Sequence, residues 1–122
     1  MTTSTLQQLA ARRCDPCKGD TPPMHPADVV DWLLYVPGWE QCDGYRKITK
    51  GYRFDDFAAA LSFVNALGGI AEEEGHHPDL AFGWGYVNVT WTTHKIKGLS
   101  ENDFIMAART DQLAEKAPER KR

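Results

Sequence analysis

Three of the four histidines fall within residues 76–94, where a turn and an aromatic-rich alternating segment follow each other. Imidazole titrates near neutral pH, so His76, His77 and His94 are able to donate or accept protons under physiological conditions. Pro78 restricts the residue before it to an extended backbone and thereby fixes the direction of the His77 ring. A turn and a strand end that bring these rings together predict acid–base chemistry on a polar ring.

From the residues alone, a surface turn with an unrelated histidine at a strand end is an equally good interpretation. A metal site built from all three rings is disfavoured, because adjacent histidines tend to point apart and no carboxylate stands at tight ligand spacing.

The N-terminal region carries a second motif, the pair Cys14 and Cys17, whose CxxC spacing is found in redox sites and half zinc sites. Cys42 and His25 are the remaining candidates for zinc ligands. No strand-to-helix pattern surrounds the pair, so a cysteine-bearing arm without a metal is favoured, and neither a metal nor another cofactor is expected.

The composition describes one ordinary globular domain, with 122 residues, 42% of them hydrophobic and 25% charged. A net charge of -3 argues against direct binding to nucleic acid or to a membrane surface, which needs a basic face. No apolar run approaches the roughly 20 residues that span a bilayer. The polar N-terminus lacks the apolar core of a secretory signal, which makes a cytoplasmic location the default expectation.

Periodicity and turn signals predict an α+β fold with the order α-β-β-α-β-β-α and an antiparallel four-stranded sheet with helices packed on one face. We expect an N-terminal arm over 1–25 with at most a short helix, a folded domain over 26–116, and a charged tail over 117–122. The predicted elements are a helix at 26–35, strands at 39–42 and 45–54 around Asp43-Gly44, a helix at 56–74 capped by Asp55, strands at 80–84 and 87–94 around Gly85-Tyr86, and a helix after Ser100.

The helix and strand periods predict which side chains of the long helix and of the last strand face the core. The long helix should bury one apolar stripe, which consists of Phe57, Ala60, Leu61, Val64, Leu67 and Ala71. In the last strand, Val87, Val89 and Trp91 should face the helices. His94 then belongs to the opposite sheet face, which stays open to a ligand or a partner.

The spacing of seven residues in the second half closely resembles the signature of the pterin-4a-carbinolamine dehydratases. The residues are Glu72, His76-His77-Pro78, Trp84, His94 and Asp103. The resemblance extends over about residues 27–113 and includes Pro37-Gly38-Trp39 and Gly98-Leu99-Ser100.

This resemblance implies the dehydration of 4a-hydroxytetrahydrobiopterin to quinonoid dihydropterin, a step of pterin recycling that needs no metal or organic cofactor. It also implies a homodimer or homotetramer. The pair Gly68-Gly69 in the long helix is a candidate for the subunit contact.

By the same resemblance, His76 and His94 form the acid–base pair, with donor and acceptor left open. His77 completes the catalytic set by binding and orienting the substrate. Substrate contacts are also expected from Glu72, Thr93 and Trp84.

Each of these supporting residues has a structural alternative. Glu72 either orients a histidine or is one of several solvated glutamates. Trp84 either stacks on the pterin or fills the core, and packing is favoured. Asp103 is expected to cap the last helix in a box with Ser100 and is left out of the catalytic set.

The competing function is a protein-binding or assembly module. Relatives of this fold include a dimerisation cofactor of a homeodomain transcription factor and assembly factors for RuBisCO. Because a scaffold has no need for three correctly spaced imidazoles, the histidine set favours the enzyme.

Overall fold

The computed structural model describes residues 5–14 and 21–116. Within them the helices are α1 (Thr5–Ala10), α2 (Pro26–Leu33), α3 (Phe57–Glu74) and α4 (Glu101–Lys116). The strands are β1 (Glu40–Cys42), β2 (Lys47–Arg53), β3 (Asp79–Gly83) and β4 (Tyr86–Trp91), and a 3-10 turn spans His94–Ile96. Cys17 and the tail at 117–122 lie outside the described residues, so the zinc alternative that includes Cys17 stays a prediction.

The strands form one four-stranded sheet in the order β1-β2-β4-β3, and every neighbouring pair is antiparallel. The predicted α+β class and element order are therefore confirmed. Val87, Val89 and Trp91 are fully buried in the core, as the alternation in β4 predicted. No helix among the described residues is long and apolar enough to cross a membrane.

Helix α3 ends where the sequence places its end, because Gly75 adopts the left-handed conformation with φ of 66°. Its start differs by one residue. The side chain of Asp56, and not that of Asp55, accepts the hydrogen bond from the Ala59 N–H at 2.8 Å. The chain leaves Gly75 directly into His76, so the helix end sets the position of the first histidine.

The buried face of α3 is rotated from the predicted stripe. Ala60, Leu67 and Ala71 are buried as expected, but Phe57 and Leu61 are 45% and 38% exposed. Phe63 occupies the core in their place, since its ring packs between Tyr52 and Phe54 at centroid distances of 5.3 and 5.1 Å. Burial of the large Phe63 ring therefore determines which face of α3 packs on the core, and Phe57 and Leu61 lie at the edge of that face.

Both hairpin turns differ from the two-residue positions that were predicted. Pairing of Cys42 with Lys47 leaves a four-residue loop at 43–46, and Tyr45 lies in it with φ of 67° instead of starting a strand. Its N–H is held by the Gln41 side chain at 2.9 Å. The second turn has the expected length but lies one residue earlier, at Trp84-Gly85, with the positive φ of 82° at Gly85.

The predicted alternation of β2 was imperfect at Lys50, and the structure supplies the reason. The Lys50 ammonium crosses the core face to reach the Asp111 carboxylate of α4 at 2.7 Å. Trp39 and Tyr52 donate to the same carboxylate, which is 7% exposed. A buried carboxylate with three donors compensates the desolvation of the lysine.

Candidate active site

A cleft of about 400 Å³ opens where α3 ends, β4 ends and α4 begins. This volume lies in the range of small-molecule sites. All four of the predicted residues His76, His77, Thr93 and His94 line this cleft. The cleft is lined by Cys14, Glu74, Gly75, His76, His77, Thr92, Thr93, His94, Lys95 and Asn102.

His76 is the most firmly held of the histidines. Its ring stacks on Trp91 with a centroid distance of 5.7 Å and an interplanar angle of 17°. Its Nε2 lies 2.6 Å from Oδ1 of Asp103, and its side chain is only 11% exposed. A carboxylate only accepts, so Nε2 carries the hydrogen of this bond and Nδ1 is the nitrogen left for a ligand.

Asp103 contacts a cleft histidine, although the sequence reasoning left it out of the site. Its side chain is 0% exposed, and its Oδ2 accepts from the Thr93 hydroxyl at 2.7 Å and from the Ser100 N–H at 3.0 Å. Asp103 caps the start of α4 as predicted, but only this half of the capping box forms, because the Ser100 hydroxyl pairs with Thr93. The same carboxylate also orients His76. The signature spacing contained this residue, but a local capping pattern carries no sign of a partner elsewhere in the chain.

His77 lies at the exposed rim of the cleft. Its Nε2 is 2.5 Å from Oε2 of Glu72, and the two side chains are 56% and 78% exposed. Glu72 therefore contacts a histidine, as one of its two interpretations held, but it does not line the cleft. Exposed pairs of this kind contribute little energy, so Glu72 biases the His77 ring only weakly.

His94 and Thr93 enter the cleft from the end of β4. His94 begins the 3-10 turn and is exposed, so a ligand can reach its ring. Thr93 is buried, and its hydroxyl is engaged by Asp103 and by Ser100 at 2.8 Å. In this structure Thr93 holds Asp103, and its contact with a substrate stays a prediction.

Trp84 lies away from the cleft. The favoured expectation that it fills the core is wrong, because it is 72% exposed at the β3–β4 turn. Along the hairpin, the Asp79–Thr90 pair lies near the cleft and the Gly83–Tyr86 pair lies beneath Trp84, a span of about 14 Å. Stacking of Trp84 on a substrate stays a prediction that this protomer alone does not support.

The N-terminal arm forms part of the cleft wall through Cys14, and no sequence pattern predicted this. Glu74, the last residue of α3, accepts from the Cys14 N–H at 2.9 Å, from Arg13 at 2.6 Å and from Arg109 at 2.9 Å. Burial would raise the pKa of Glu74, but these three donors together outweigh it and lower the pKa below its ordinary value. Glu74 thus fastens the arm to α3 and α4 and places Cys14 at the cleft.

The remaining histidine, His25, has a structural role. Its Nδ1 accepts from the Ala27 N–H at 3.1 Å and caps α2. Within the part of the chain that the structure describes, no group of three or more metal-binding side chains is present.

The histidines of this α+β chain meet in one cleft, and a buried carboxylate holds one imidazole. Proteins with such a site are suited to proton transfer. The model of one protein family, "Pterin 4 alpha carbinolamine dehydratase", matches residues 22–113. The chain belongs to this family.

Relatives support the assignment over nearly the whole chain. A protein of Aromatoleum aromaticum named "Putative pterin-4-alpha-carbinolamine dehydratase" is 54% identical over 88% of this chain and 96% of its own. A protein of the same name from Azoarcus sp. is 50% identical over 89% of this chain and 93% of its own.

Two solved structures share the fold. A transcriptional coactivator/pterin dehydratase from Brucella melitensis is 30% identical, with a TM-score of 0.71, over 75% of this chain and 98% of that one. A pterin dehydratase-like protein described as a RuBisCO assembly factor in the alpha-carboxysome is 32% identical, with a TM-score of 0.55, over 63% and 89%.

Proposed function

We propose that this protein dehydrates 4a-hydroxytetrahydrobiopterin to quinonoid dihydropterin, as part of pterin recycling. The observation that carries the proposal is the convergence of His76 and His94 on one cleft, with His76 held by the buried Asp103. Membership of the dehydratase family supports the same substrate class.

The elimination needs two proton transfers and no change of oxidation state. The C4a–O bond breaks, the hydroxyl leaves as water with a proton from an acid, and a base takes the proton of N5. Groups that titrate near neutral pH suit both transfers, and each contributes about 10²–10⁴-fold.

The bond between His76 and Asp103 supports one distribution of the two roles. With Nε2–H donated to Asp103, the neutral His76 ring offers Nδ1 as an acceptor, and the carboxylate stabilises the imidazolium that forms. His76 is therefore the base that takes the N5 proton. His94, exposed on the other element of the cleft, is the acid that protonates the leaving hydroxyl, and His77 at the rim orients the ring.

Assembly into a homodimer or homotetramer is part of the proposal. A side-chain carbon at Gly68 or Gly69 would meet no atom within 4 Å in the described ranges 5–14 and 21–116, apart from the neighbouring residues and backbone of its own helix. Close packing inside the chain therefore does not require this pair, which supports a contact with a second subunit.

A protein-binding role is the second candidate, since the related structures include a coactivator and an assembly factor. The exposed apolar side chains of Phe57 and Leu61 on α3 favour such a surface.

The test is the dehydration rate of freshly generated 4a-carbinolamine, followed by absorbance with and without protein. The proposal predicts a rate far above that of buffer. A rate equal to that of buffer would refute the enzyme and leave the protein-binding role.

A further inference from the structure

A second groove, of about 270 Å³, adjoins the cleft on the far side of His94. The two hollows share Thr92 and His94 in their linings, so they lie next to each other on the surface. The groove is otherwise lined by Asp43, Arg46, Lys47 and Lys97.

The groove is positively charged although the chain as a whole carries -3. Arg46 and Asp43 neutralise each other, because the guanidinium donates to the Asp43 carboxylate at 2.8 Å and to the Asp43 carbonyl at 3.0 Å. Lys47 and Lys97 make no salt bridge to any residue in the described ranges 5–14 and 21–116. Two lysines that line the groove therefore have no salt-bridge partner among the described residues.

The backbone that carries these cations is firmly held. The buried Thr92 hydroxyl donates to the Arg46 carbonyl at 2.7 Å and ties the start of β2 to the end of β4. Lys97 sits in the left-handed conformation with φ of 56°, and its N–H donates to the His94 carbonyl at 3.2 Å. The position of the two lysines relative to His94 is thus set by the fold.

We propose that this groove is a subsite for an anionic group, a phosphate or a carboxylate, on the C6 side chain of a pterin, so that 4a-carbinolamines with a charged side chain are substrates beside the neutral 4a-hydroxytetrahydrobiopterin. The inference rests on the proposed function, because it takes the pterin ring to lie between His76 and His94. In a pterin, N5 is bonded to both C4a and C6, so the C6 side chain leaves the ring beside the reacting atoms. A side chain that passes His94 reaches the lysines, and ammonium groups bind phosphate as point charges.

Binding of stable ring analogues tests the subsite without requiring turnover. We would measure the Kd of 7,8-dihydroneopterin, of its monophosphate and of a 6-carboxypterin by fluorescence at low and high salt. Exposed ion pairs are individually weak, so two lysines predict roughly tenfold tighter binding of the phosphate at low salt. The preference should shrink as salt screens the charges.

The variant Lys47→Gln/Lys97→Gln should abolish the preference for the anionic analogue. Its control is Arg53→Gln/Lys116→Gln, which removes the same charge from exposed positions that do not line the groove. If the 6-carboxypterin also binds more tightly than the neutral analogue, the groove is a general anion site. If only the monophosphate binds more tightly, the groove is a site for a phosphate ester.

Equal Kd values for the neutral and the anionic analogues would overturn the proposal. A preference that survives in Lys47→Gln/Lys97→Gln would also overturn it, and so would a preference that is lost equally in the control variant. If the wild type shows the preference yet does not dehydrate the carbinolamine, the subsite stands and the proposed reaction fails.

Discussion

The Asp103→Asn substitution probes the residue that links the fold to the chemistry. Asn keeps the size and one acceptor oxygen, which can still serve the Thr93 hydroxyl and the Ser100 N–H. Its amide then presents N–H groups to the His76 Nε2, which must become the acceptor, and the hydrogen moves to Nδ1. The ring would therefore lose the tautomer that accepts a proton from the substrate.

The Asp103→Asn substitution should lower both the stability of the protein and its kcat. Loss of a charge-assisted hydrogen bond at a fully buried site costs about 1.5–3 kcal/mol of unfolding free energy. At about 4 °C for each kcal/mol, the Tm should fall by roughly 6–12 °C. Removal of a correctly oriented base should lower kcat by about a hundredfold or more, which is far beyond the effect of partial destabilisation.

Asp111→Asn is the matched control. Asp111 lies on the same helix, is similarly buried and accepts from three side chains, but these are Trp39, Lys50 and Tyr52 and not a histidine of the cleft. Both variants should unfold at lower temperature, and only Asp103→Asn should lose kcat when assayed well below its Tm. Equal kcat values for the two variants would refute the positioning role of Asp103.

Two further predictions concern the arm and the buried face of α3. Because the pKa of Glu74 is lowered in the folded state, its stabilisation is complete above the unfolded value of about 4.3 and is lost as pH falls through the lower folded value. Glu74→Gln should therefore lower Tm at neutral pH, with a difference from wild type that shrinks in acid; a difference independent of pH would contradict this. Leu67→Ala should cost about 2–5 kcal/mol in urea unfolding, because Leu67 is fully buried. Leu61→Ala should cost less than about 1 kcal/mol, and equal costs would contradict the observed helix rotation.

The features that the sequence predicted well are those with local causes. Gly75 ends α3 because only a residue tolerant of positive φ fits there, and the alternation of Val87, Val89 and Trp91 follows from the strand period. His76 and His94 line the same cleft, but the strand period did not place His94 correctly, because β4 ends at Trp91 and His94 lies in the 3-10 turn that follows.

The features that were missed depend on contacts between distant parts of the chain. The capping pattern of Asp103 is visible locally, but its bond to His76 spans 27 positions. The arm reaches Glu74 across 60 positions, and no periodicity reports such a contact. The buried face of α3 was misassigned because Phe63 is selected by the rings it meets, Tyr52 and Phe54, and not by its own helical spacing.

The most direct test of the account is the kcat for dehydration of the carbinolamine by His76→Ala and His94→Ala, with His25→Ala as the control histidine outside the cleft. We expect each cleft variant to lose about a hundredfold or more, the scale of a lost acid or base, while His25→Ala keeps the wild-type kcat. Wild-type kcat in both cleft variants would contradict the proposal that these two histidines transfer the protons.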